Sequence, residues 1–305
     1  MTAPPVAILT VTTNAAPHLS AYFDALSAIT YPDWRLLVAD NASTDGSSEI
    51  VVARYSGATI LRLDRNYGFT GACNRALAEI LTTDARYVLF LNDDTEVTPG
   101  FLEPLVELAD ERTLVAPITY LAGRPGELDD AVGEFDWLRG TWKSHVLGTA
   151  GGSEYRSVHE VGNANLSCLL VPIEAFAAAG LLDEAFFVYY DDTDFCRRVR
   201  DAGFRILFQP ASVVFHRKGA TLGGQLSAFG CYYLSRNRPY LMRKHLGLRP
   251  RFAAFLAYYL ATRTARMAIW ACQRRWDLCR ATIAGVGDFV RGRMGEGCPP
   301  HPRGE

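Results

Sequence analysis

The amino-acid sequence predicts an α/β fold in which helices cover both faces of a mostly parallel sheet. Over the first 120 residues, short apolar runs alternate with amphipathic stretches of about 10 to 13 residues, the order typical of parallel α/β sheets. The runs are apolar throughout, which indicates strands that are buried on both sides. The chain has 305 residues, 49% of them hydrophobic, which is enough for one large domain and excludes a disordered chain.

The elements of the first half follow from these runs in chain order. Five strands are predicted, at Val6–Thr12, Trp34–Ala39, Thr59–Leu63, Tyr87–Leu91 and Leu114–Pro117. Four helices are predicted between them, at Pro17–Ile29, Gly46–Tyr55, Gly71–Leu81 and Gly100–Ala109. Residues 120–160 are rich in glycine and aromatic residues without periodicity, so we expect a long excursion over one face of the sheet.

The alternating pattern resumes after residue 160. The predicted elements are a buried strand at Val161–Val171, short strands at Arg205–Phe208 and Ser212–Phe215, and helices at Pro172–Ala179 and Asp191–Ala202. After Leu226 the chain is predicted to be helical to about Gly292. Residues 293–305, which contain three prolines, are expected to form a disordered tail.

Charge is distributed unevenly along the chain. Residues 1–242 carry 19 Lys and Arg against 29 Asp and Glu, whereas residues 243–305 carry 12 against 4. Between 243 and 293, apolar and aromatic residues recur at near-helical spacing among arginines, which predicts amphipathic helices. These helices suit either an anionic membrane surface or packing on the preceding domain or a partner subunit. Nucleic-acid binding is not indicated, because the rest of the chain is acidic and has no recognition motif.

Cysteine usage and hydropathy bear on the compartment. Seven scattered cysteines without a C-x-x-C pair indicate neither a zinc ribbon nor a disulfide framework, and free thiols suit a reducing cytosol. Met1–Pro5 lack a basic segment, so we expect no signal peptide, and the near-apolar run Phe252–Thr262 is too short to span a bilayer. We expect a cytoplasmic protein, with peripheral attachment to the inner face of the cell membrane as one use of the basic segment.

Polar residues follow the first two predicted strands, at the edge where parallel sheets bind ligands. Thr12-Thr13-Asn14 is neither a glycine-rich dinucleotide loop nor a P-loop. Asp40–Ser47, with the sequence DNASTDGS, follows the second strand. It suits hydrogen bonding to a base and ribose, but an Asx turn that caps the next helix also explains it without any ligand.

Acidic residues and one histidine follow later elements. The adjacent carboxylates of Asp93 and Asp94 repel one another unless a cation compensates, so they indicate either a divalent cation with substrate phosphates or a solvated loop. Asp191, Asp192 and Asp194 begin a helix, where the dipole favours acids, but three in four positions exceed what capping requires. His216 ends a predicted strand and is either a ligand or a structural residue.

Taken in order, these residues resemble glycosyltransferase family two, the inverting enzymes of GT-A fold, and within it the bacterial rhamnosyltransferase-type branch. The resemblance covers most of residues 6–240. Its motifs are Thr12-Thr13-Asn14, Asp40–Ser47, Asn66-Tyr67-Gly68-Phe69, Gly71–Asn74, Leu91–Thr95, Phe186–Arg198, His216 and Ser235-Arg236-Asn237-Arg238.

The resemblance implies a role for each matching residue. Asp192, supported by Asp191, would be the general base that takes the acceptor's proton. Asp94 and His216 would hold a divalent metal, Mg²⁺ or Mn²⁺, although Asn92 stands where the family's D-x-D element begins with Asp. The residues implied in nucleotide-sugar binding are Thr12, Asn14, Asp40, Asn41, Ser43, Asn66, Gly68, Asn74, Asn92 and Asp93.

The implied reaction is the inverting transfer of a sugar from a nucleoside-diphosphate sugar, with dTDP-L-rhamnose as the first candidate, to a hydroxyl of a glycan or lipid-linked acceptor. A sugar-phosphate nucleotidylyltransferase and a non-catalytic nucleotide-sugar-binding protein at the membrane stay open as alternatives. The implied organisation is a single Rossmann-like sheet over residues 1–240, with a nucleotide-sugar half at about 1–117 and an acceptor half at about 118–240. A basic helical extension follows at 241–292, through which the chain would meet an anionic membrane or form a homo-oligomer.

Overall fold

The computed structural model describes residues 3–124, 126–129, 132–144, 153–217 and 226–297. Its strands are β1 (Val6–Thr12), β2 (Trp34–Asp40), β3 (Thr59–Arg62), β4 (Tyr87–Leu91), β5 (Thr95–Val97), β6 (Thr113–Leu121), β7 (Val132–Asp136), β8 (Thr141–Ser144), β9 (His159–Glu160), β10 (Asn163–Ala164), β11 (Cys168–Pro172) and β12 (Arg205–His216). Its helices are α1 (Ala16–Ser27), α2 (Ser47–Arg54), α3 (Gly68–Ile80), α4 (Leu102–Leu108), α5 (Glu174–Ala179), α6 (Asp191–Asp201), α7 (Ala228–Leu246), α8 (Pro250–Cys272) and α9 (Trp276–Arg291).

The chain divides into two units. The first comprises Met1–Glu134, Ser144–Asp183 and Asp192–Lys218, and the second comprises Phe135–Lys143, Glu184–Asp191 and Gly219–Glu305. Of the tail expected to be disordered, residues 298–305 lie outside the described residues. No helix in the described part of the chain has the length and apolar character needed to cross a membrane.

Nine of the described strands form the main sheet of the first unit, in the order β3-β2-β1-β4-β11-β6-β12-β5, with β9 paired to β12. Strands β1 to β4 pair in parallel, as do β6 and β12. Strands β11 and β5 run antiparallel to their neighbours. The prediction of a mostly parallel sheet is therefore confirmed.

Helices cover both faces of this sheet, because successive strand residues point to opposite sides. In β1, Leu9 packs in the same apolar cluster as Leu77 of α3, whereas Ile8 packs in the cluster of Leu19 of α1. Each of these side chains is at most 1% exposed. Burying one of them contributes about 1.5–3 kcal/mol, so the two apolar layers fix the strand ends firmly.

The prediction of a single strand at Val161–Val171 is wrong. The segment forms two strands, β10 and β11, which belong to different sheets. Strand β10 pairs with β7, and the chain then enters the main sheet at Cys168, antiparallel to β4. The polar residues Asn165 and Ser167 lie between the two strands, where the backbone leaves one ladder for the other.

The two short strands predicted at Arg205–Phe208 and Ser212–Phe215 are one strand, β12. Its pairing with β6 shifts in register between Gln209 and Val213. Pro210 lies within the irregularity, and a proline has no N–H to offer a ladder, so the bulge carries the strand past it. Strands β5, β7, β8 and β9, each of two to five residues, were not predicted.

Helices α7, α8 and α9 make up most of the second unit, in agreement with the helical prediction after Leu226. Helix α9 lies close to α7, where Gly285 faces the carbonyl oxygen of Tyr232. Pro239 inside α7 has no N–H for the Ser235 carbonyl four residues earlier. The hydroxyl of Tyr259 in α8 donates to that carbonyl at 2.7 Å, so the proline is accommodated without an unpaired acceptor.

Candidate active site

The first two strands bring their polar ends together at one edge of the sheet. Thr12 of β1 and Asp40 of β2 are register partners in adjacent parallel strands. The loops that follow are joined by hydrogen bonds, because the backbone N–H of Asn14 donates to Ser43 Oγ at 3.0 Å and the N–H of Thr44 donates to Asn14 Oδ1 at 2.8 Å. The structure therefore places Thr12, Asn14, Asp40 and Ser43 side by side.

Helix α1 begins without a side-chain cap of its own, and the second loop supplies one. The N–H of Ala15 donates to Ser47 Oγ at 3.0 Å, and the N–H of Ala16 donates to Asp45 Oδ2 at 2.9 Å. Burial would raise the pKa of Asp45, but hydrogen bonds from Ser47 and Ala16 outweigh it and lower the pKa. The cap of one helix is thus built from the loop before the next helix, which gives this edge a fixed shape.

Asp40 and Asn41 shape the same edge. Asp40 is buried and accepts hydrogen bonds from the Ser43 N–H at 2.9 Å and from the Ser48 hydroxyl. Asn41 accepts from the Tyr67 N–H at 2.8 Å and donates to Asn66 Oδ1 at 2.9 Å and to the carbonyl of Gly68. Asn66 and Gly68, both predicted site residues, are held against the end of β2 by this one amide.

Asn74 lies one to two turns into α3, and its side chain has a different partner. It donates to the carbonyl of Leu182 at 2.8 Å and accepts from the N–H of Leu182 at 3.0 Å. This two-way pairing fixes the chain between α5 and α6. Asn74 therefore fixes the backbone at Leu182, in the segment that leads to the acidic residues at the start of α6.

A tight turn follows β4 and carries the predicted metal-binding acids. Asn92 accepts from the Thr95 N–H at 3.3 Å and from the Thr95 hydroxyl at 2.6 Å through its carbonyl. Strand β5, which begins at Thr95, pairs with β12 in the register Thr95 to His216. This pairing is what brings Asp94, next to Thr95, beside the histidine 122 positions later in the sequence.

Asp94, His216 and Asp129 form a line of contacts in the first unit. His216 Nε2 lies 3.2 Å from Asp94 Oδ1, and His216 Nδ1 lies 2.6 Å from Asp129 Oδ2. Since a carboxylate can only accept, the Nδ1 proton belongs to the Asp129 contact. Asp129, 3% exposed, is held by its N–H donating to the Thr119 carbonyl at 2.8 Å.

The acids around His216 raise the pKa of the histidine, and Asp94 also affects its neighbour Asp93. Burial alone would lower the pKa of His216, but Asp129 and Asp94 reverse the effect and raise it to about 9. Burial and the neighbouring charge of Asp94 raise the pKa of Asp93 to about 7. A buried carboxyl whose pKa is raised by a neighbouring carboxylate is typical of a site that receives a cation.

Asp94 and His216 fit a divalent cation as part of a ligand set. Asp94 Oδ1 is buried and, apart from its contact with His216, has no hydrogen-bond partner. Asp94 Oδ1 and His216 Nε2, 3.2 Å apart, are an oxygen and a nitrogen that would together hold one divalent cation. Among the described residues no group of three or more His, Cys, Asp or Glu is placed to hold a metal, so two ligands would leave the remaining positions to water and substrate phosphates.

The predicted base lies at the start of α6. Asp192 is partly exposed, and its Oδ1 accepts from the Thr193 N–H at 2.6 Å. Burial raises the pKa of Asp192 to about 6 against these hydrogen bonds. Asp194 is fully buried and paired with Arg198 Nε at 2.8 Å, and Asp191 is 6% exposed. Asp192 is therefore the most accessible carboxylate of the three.

One short segment lies against both acidic stretches. The carbonyl of Ser167 accepts from the Asn92 N–H at 2.9 Å, whereas Asn163 Nδ2 contacts Thr193 Oγ1 at 3.5 Å. The carbonyl of Ala164 accepts from the thiol of Cys196 in α6. Residues 163–167 thus connect the turn of Asp93 and Asp94 with the start of α6, where Asp192 lies.

Asp129 is the residue that the sequence did not single out. It lies in the glycine-rich stretch after β6, where no periodic apolar pattern or motif marks it. A histidine that binds a metal usually donates its other N–H to a carboxylate or carbonyl. This rule could have prompted a search for an acid to pair with His216, and that search would have included this stretch.

Comparison with known proteins finds a matching family and similar sequences. Residues 7–150 match the family model described as glycosyl transferase family 2. The N-acetylglucosaminyl-diphospho-decaprenol L-rhamnosyltransferase of Mycobacterium tuberculosis is 29% identical over 242 residues, which are 71% of this chain and 77% of that relative.

Solved structures resemble the fold. The mannosyltransferase PcManGT of Pyrobaculum calidifontis, in complex with GDP-Man and Mn²⁺, has a TM-score of 0.57 at 18% identity, over 95% of this chain and 88% of that one. GalNAc-T7 with UDP, GalNAc and Mn²⁺ has a TM-score of 0.58 at 16% identity, over 76% of this chain and 48%, about half, of that one. The family match, the relative and the sheet topology agree that the chain is a glycosyltransferase with a GT-A fold that resembles family two.

Proposed function

We propose that this enzyme transfers L-rhamnose from dTDP-L-rhamnose to a hydroxyl of a lipid-linked acceptor, with inversion at the anomeric carbon. The rhamnosyltransferase from Mycobacterium tuberculosis, whose name specifies a diphospho-decaprenol acceptor, supports this choice of sugar and acceptor. The nucleotidylyltransferase and the non-catalytic binder are set aside, because the family and its relatives are sugar transferases.

The observation that carries the proposal is the pair of acidic stretches joined through residues 163–167. In the proposed step, the acceptor hydroxyl attacks the anomeric carbon on the face opposite the diphosphate. The new C–O bond forms as the bond to the diphosphate breaks, and Asp192 takes the hydroxyl proton. Its pKa near 6 suits a base that is ionised at neutral pH yet still able to accept a proton.

Asp94 and His216 would hold the divalent cation of this site, with Asp129 orienting the histidine. When bound, the cation would neutralise the charge of the departing diphosphate as a Lewis acid. The Mn²⁺ present with PcManGT and GalNAc-T7 supports a divalent metal, and either Mg²⁺ or Mn²⁺ satisfies the chemistry. Asn92 and Asp93 would lie beside the diphosphate, since they share the turn with Asp94.

The joined loops after β1 and β2 would bind the nucleotide. Thr12, Asn14, Asp40 and Ser43 lie together there, and Asn41 holds the adjacent chain. Loops that hydrogen bonds already hold in place lose little conformational entropy when a nucleotide binds. Asp40 and Asn14 would supply acceptors to the base and ribose in addition to their contacts within the loops.

The experiment is a donor panel with and without divalent metal. We expect dTDP-L-rhamnose with Mn²⁺ or Mg²⁺ to raise the melting temperature, since a ligand at about 100 times its Kd stabilises the native state by about 2.7 kcal/mol. Release of dTDP should accompany transfer and stop when EDTA removes the metal. A melting temperature that rises with a UDP-hexose and not with dTDP-L-rhamnose would overturn the sugar assignment. Full activity in EDTA would overturn the metal.

An exposed face of α8 would bring the enzyme to its lipid-linked acceptor. Helix α8 presents Tyr258 and Ile269 to solvent on the same side, because eleven residues make close to three helical turns, and these side chains are 40% and 50% exposed. The residues between them on the outside are mostly alanines. We call this the outer α8 face.

The charge around this face favours an anionic bilayer as its partner. Residues 202–276 contain 13 Lys and Arg and no Asp or Glu, and Arg251, Arg266 and Arg274 are exposed on or beside α8. Each basic residue near an anionic membrane surface contributes about 1 kcal/mol. A second copy of this chain on the same face would bring arginine against arginine, so the bilayer is the better match.

Co-sedimentation with vesicles tests this placement. We expect binding to vesicles that contain phosphatidylglycerol and weak binding to pure phosphatidylcholine. The double variant Tyr258→Glu with Ile269→Glu should bind at least about tenfold more weakly, because the two added charges would have to leave water for this face to enter the lipid. Val52→Glu, at a 53% exposed position of α2, is the matched control and should bind normally. Equal binding by the double variant would refute the placement, as would a dimer in sedimentation that the same substitutions dissolve.

A further inference from the structure

The segment Ala185–Tyr190, here called the aromatic loop, has an unusual backbone. Phe187, Tyr189 and Tyr190 have φ values of 65°, 64° and 68°, in the left-handed region that favours glycine. The loop has no glycine, and its side chains are bulky. Such a backbone persists only where its surroundings impose it. The loop ends at Asp191, the residue before the proposed base.

One amide on α7 holds the backbone of this loop. Asn237 Nδ2 donates to the carbonyls of Phe186 at 2.8 Å, Val188 at 2.7 Å and Tyr189 at 3.1 Å. Asn237 is fully buried. Because the amide has two N–H groups for three acceptors, one of them is shared, and the three carbonyls must converge on one point. The amide therefore ties together three carbonyls within four consecutive residues.

Arg236 sets the orientation of that amide. Its Nε donates to Asn237 Oδ1 at 3.0 Å, so the oxygen of the amide faces the arginine and the nitrogen faces the loop. Its Nη2 donates to the carbonyl of Phe186 at 3.1 Å. The network therefore fixes which way the Asn237 side chain points.

The buried positive charge of Arg236 is stabilised by the same loop. Arg236 is fully buried, and in the part of the chain that the structure describes no carboxylate pairs with its guanidinium. Its neighbours are the carbonyls of the loop and the ring of Tyr233, 4.7 Å away, on which Phe187 stacks at 5.2 Å. A buried cation needs fixed dipoles in place of water. Loop and helix thus hold each other in one arrangement.

We propose that Asn237, oriented by Arg236, is a positioning residue that fixes the aromatic loop and through it the start of α6, where Asp191 and Asp192 lie. It touches neither donor nor acceptor in this assignment and acts only through the backbone. The inference rests on the proposed role of Asp192 for its catalytic consequence. The mechanical part, that Asn237 holds the loop, is independent of the reaction.

Hydrogen–deuterium exchange tests the mechanical part without any substrate. Asn237→Asp keeps the oxygen that Arg236 contacts and removes the donors that hold the loop, so the helix network survives while the loop is released. We expect amides of residues 184–191 to exchange at least about tenfold faster in this variant and in Asn237→Ala. Tyr259→Phe is the matched control, because it removes a buried hydrogen bond to Ser235 of the same helix and leaves the loop carbonyls untouched. Unchanged exchange in Asn237→Asp would overturn the proposal.

Transfer kinetics test the catalytic part. A misplaced base costs about 10²-fold in rate, so kcat of Asn237→Asp should fall by about that factor while the KM for the donor is unchanged. Tyr259→Phe should retain the parent kcat. Faster exchange with normal kcat would refute the positioning role. If the Asn237 variants exchange faster but even the wild-type chain transfers no sugar, Asn237 still holds the aromatic loop. The proposed function would then be refuted instead.

Discussion

At the scale of single residues, the proposed chemistry depends first on Asp192. Asparagine has the same shape but cannot take a proton, so Asp192→Asn should lower the transfer rate by about 10²–10⁴-fold. Donor affinity should be unchanged, because the proposed nucleotide contacts lie on other loops. Single-turnover transfer and calorimetric titration of the donor measure the two quantities. Asp201→Asn is the control on the same helix, at a side chain 57% exposed, and a comparable loss there would discount the result.

The same carboxyl sets the expected pH dependence. Burial raises the pKa of Asp192 to about 6, and a base works only when it is deprotonated. We therefore expect kcat/KM to be constant above about pH 6 and to fall about tenfold per pH unit well below it. A pH profile of kcat/KM with excess metal measures this directly. A profile that is flat through this range would show that Asp192 is not the base.

Asp129 offers a separate test of the metal assignment. A carboxylate behind a metal-binding histidine typically changes metal affinity by about 10–100-fold when it is replaced. Asp129→Asn should therefore raise the Mn²⁺ concentration for half-maximal activity by that factor, with activity recovered at saturating Mn²⁺. Glu127→Gln, a 54% exposed position two residues away, should leave this concentration unchanged. An unaltered requirement in Asp129→Asn would remove Asp129 from the site.

The residue types at strand ends predicted many residues of the candidate site. The sequence did not predict which of these residues contact each other. Asp94 and His216 were both predicted as metal ligands, and the structure brings them within 3.2 Å. Their contact depends on the register of β5 with β12, and β5 has only three residues, too few for a periodic signal. Asp129 was not predicted, for a similar reason: it acts through a partner distant in sequence and does not differ from an ordinary polar residue in the sequence itself. Asn237 lies in a motif that the resemblance covers, but its role could not be predicted, because its partners lie about 50 residues earlier in the chain.

At the scale of elements, the contact between α7 and α9 makes a sharp prediction. A methyl group at Gly285 would overlap the backbone oxygen of Tyr232, which cannot move without shifting α7. Gly285→Ala should therefore destabilise the protein by about 1–3 kcal/mol, the usual cost of overpacking. Gly287→Ala, two residues along α9, would meet only the flexible end of Arg291 and should be neutral or stabilising by up to about 1 kcal/mol. Chemical denaturation measures both, and equal effects would contradict this account of the packing.

The elements themselves show which signals a sequence carries. Continuous apolar runs predicted β1 and β4 with their observed bounds. The antiparallel direction of β11 was not predicted, because an apolar run looks the same in either direction and only its partners decide. The bend in β12 was taken for a break between two strands, since Pro210 ends most ladders and here sits in a bulge. Local composition thus predicts that a strand exists more reliably than how it pairs.

At the scale of the whole molecule, composition predicted the α/β class and the helical basic segment. The sheet order, with β11 inserted antiparallel between β4 and β6, came only with the structure. The compact units include short excursions of the chain, because Phe135–Lys143 and Glu184–Asp191 belong to the second unit. Short excursions of this kind leave no compositional trace, since a few aromatic residues suit either unit.

The uneven charge of the molecule gives the last prediction. Residues 243–305 carry 12 basic residues against 4 acidic ones, so the proposed attachment to an anionic bilayer should be largely electrostatic. Raising NaCl from about 0.1 M to about 1 M shortens the screening length from about 10 Å to about 3 Å. Binding to phosphatidylglycerol vesicles should then weaken at least about tenfold, and transfer to a vesicle-embedded acceptor should fall more than transfer to a water-soluble analogue. Attachment that survives about 1 M salt would mean that the apolar outer α8 face holds the membrane without help from the arginines, and an equal fall with both acceptors would locate the salt effect in catalysis.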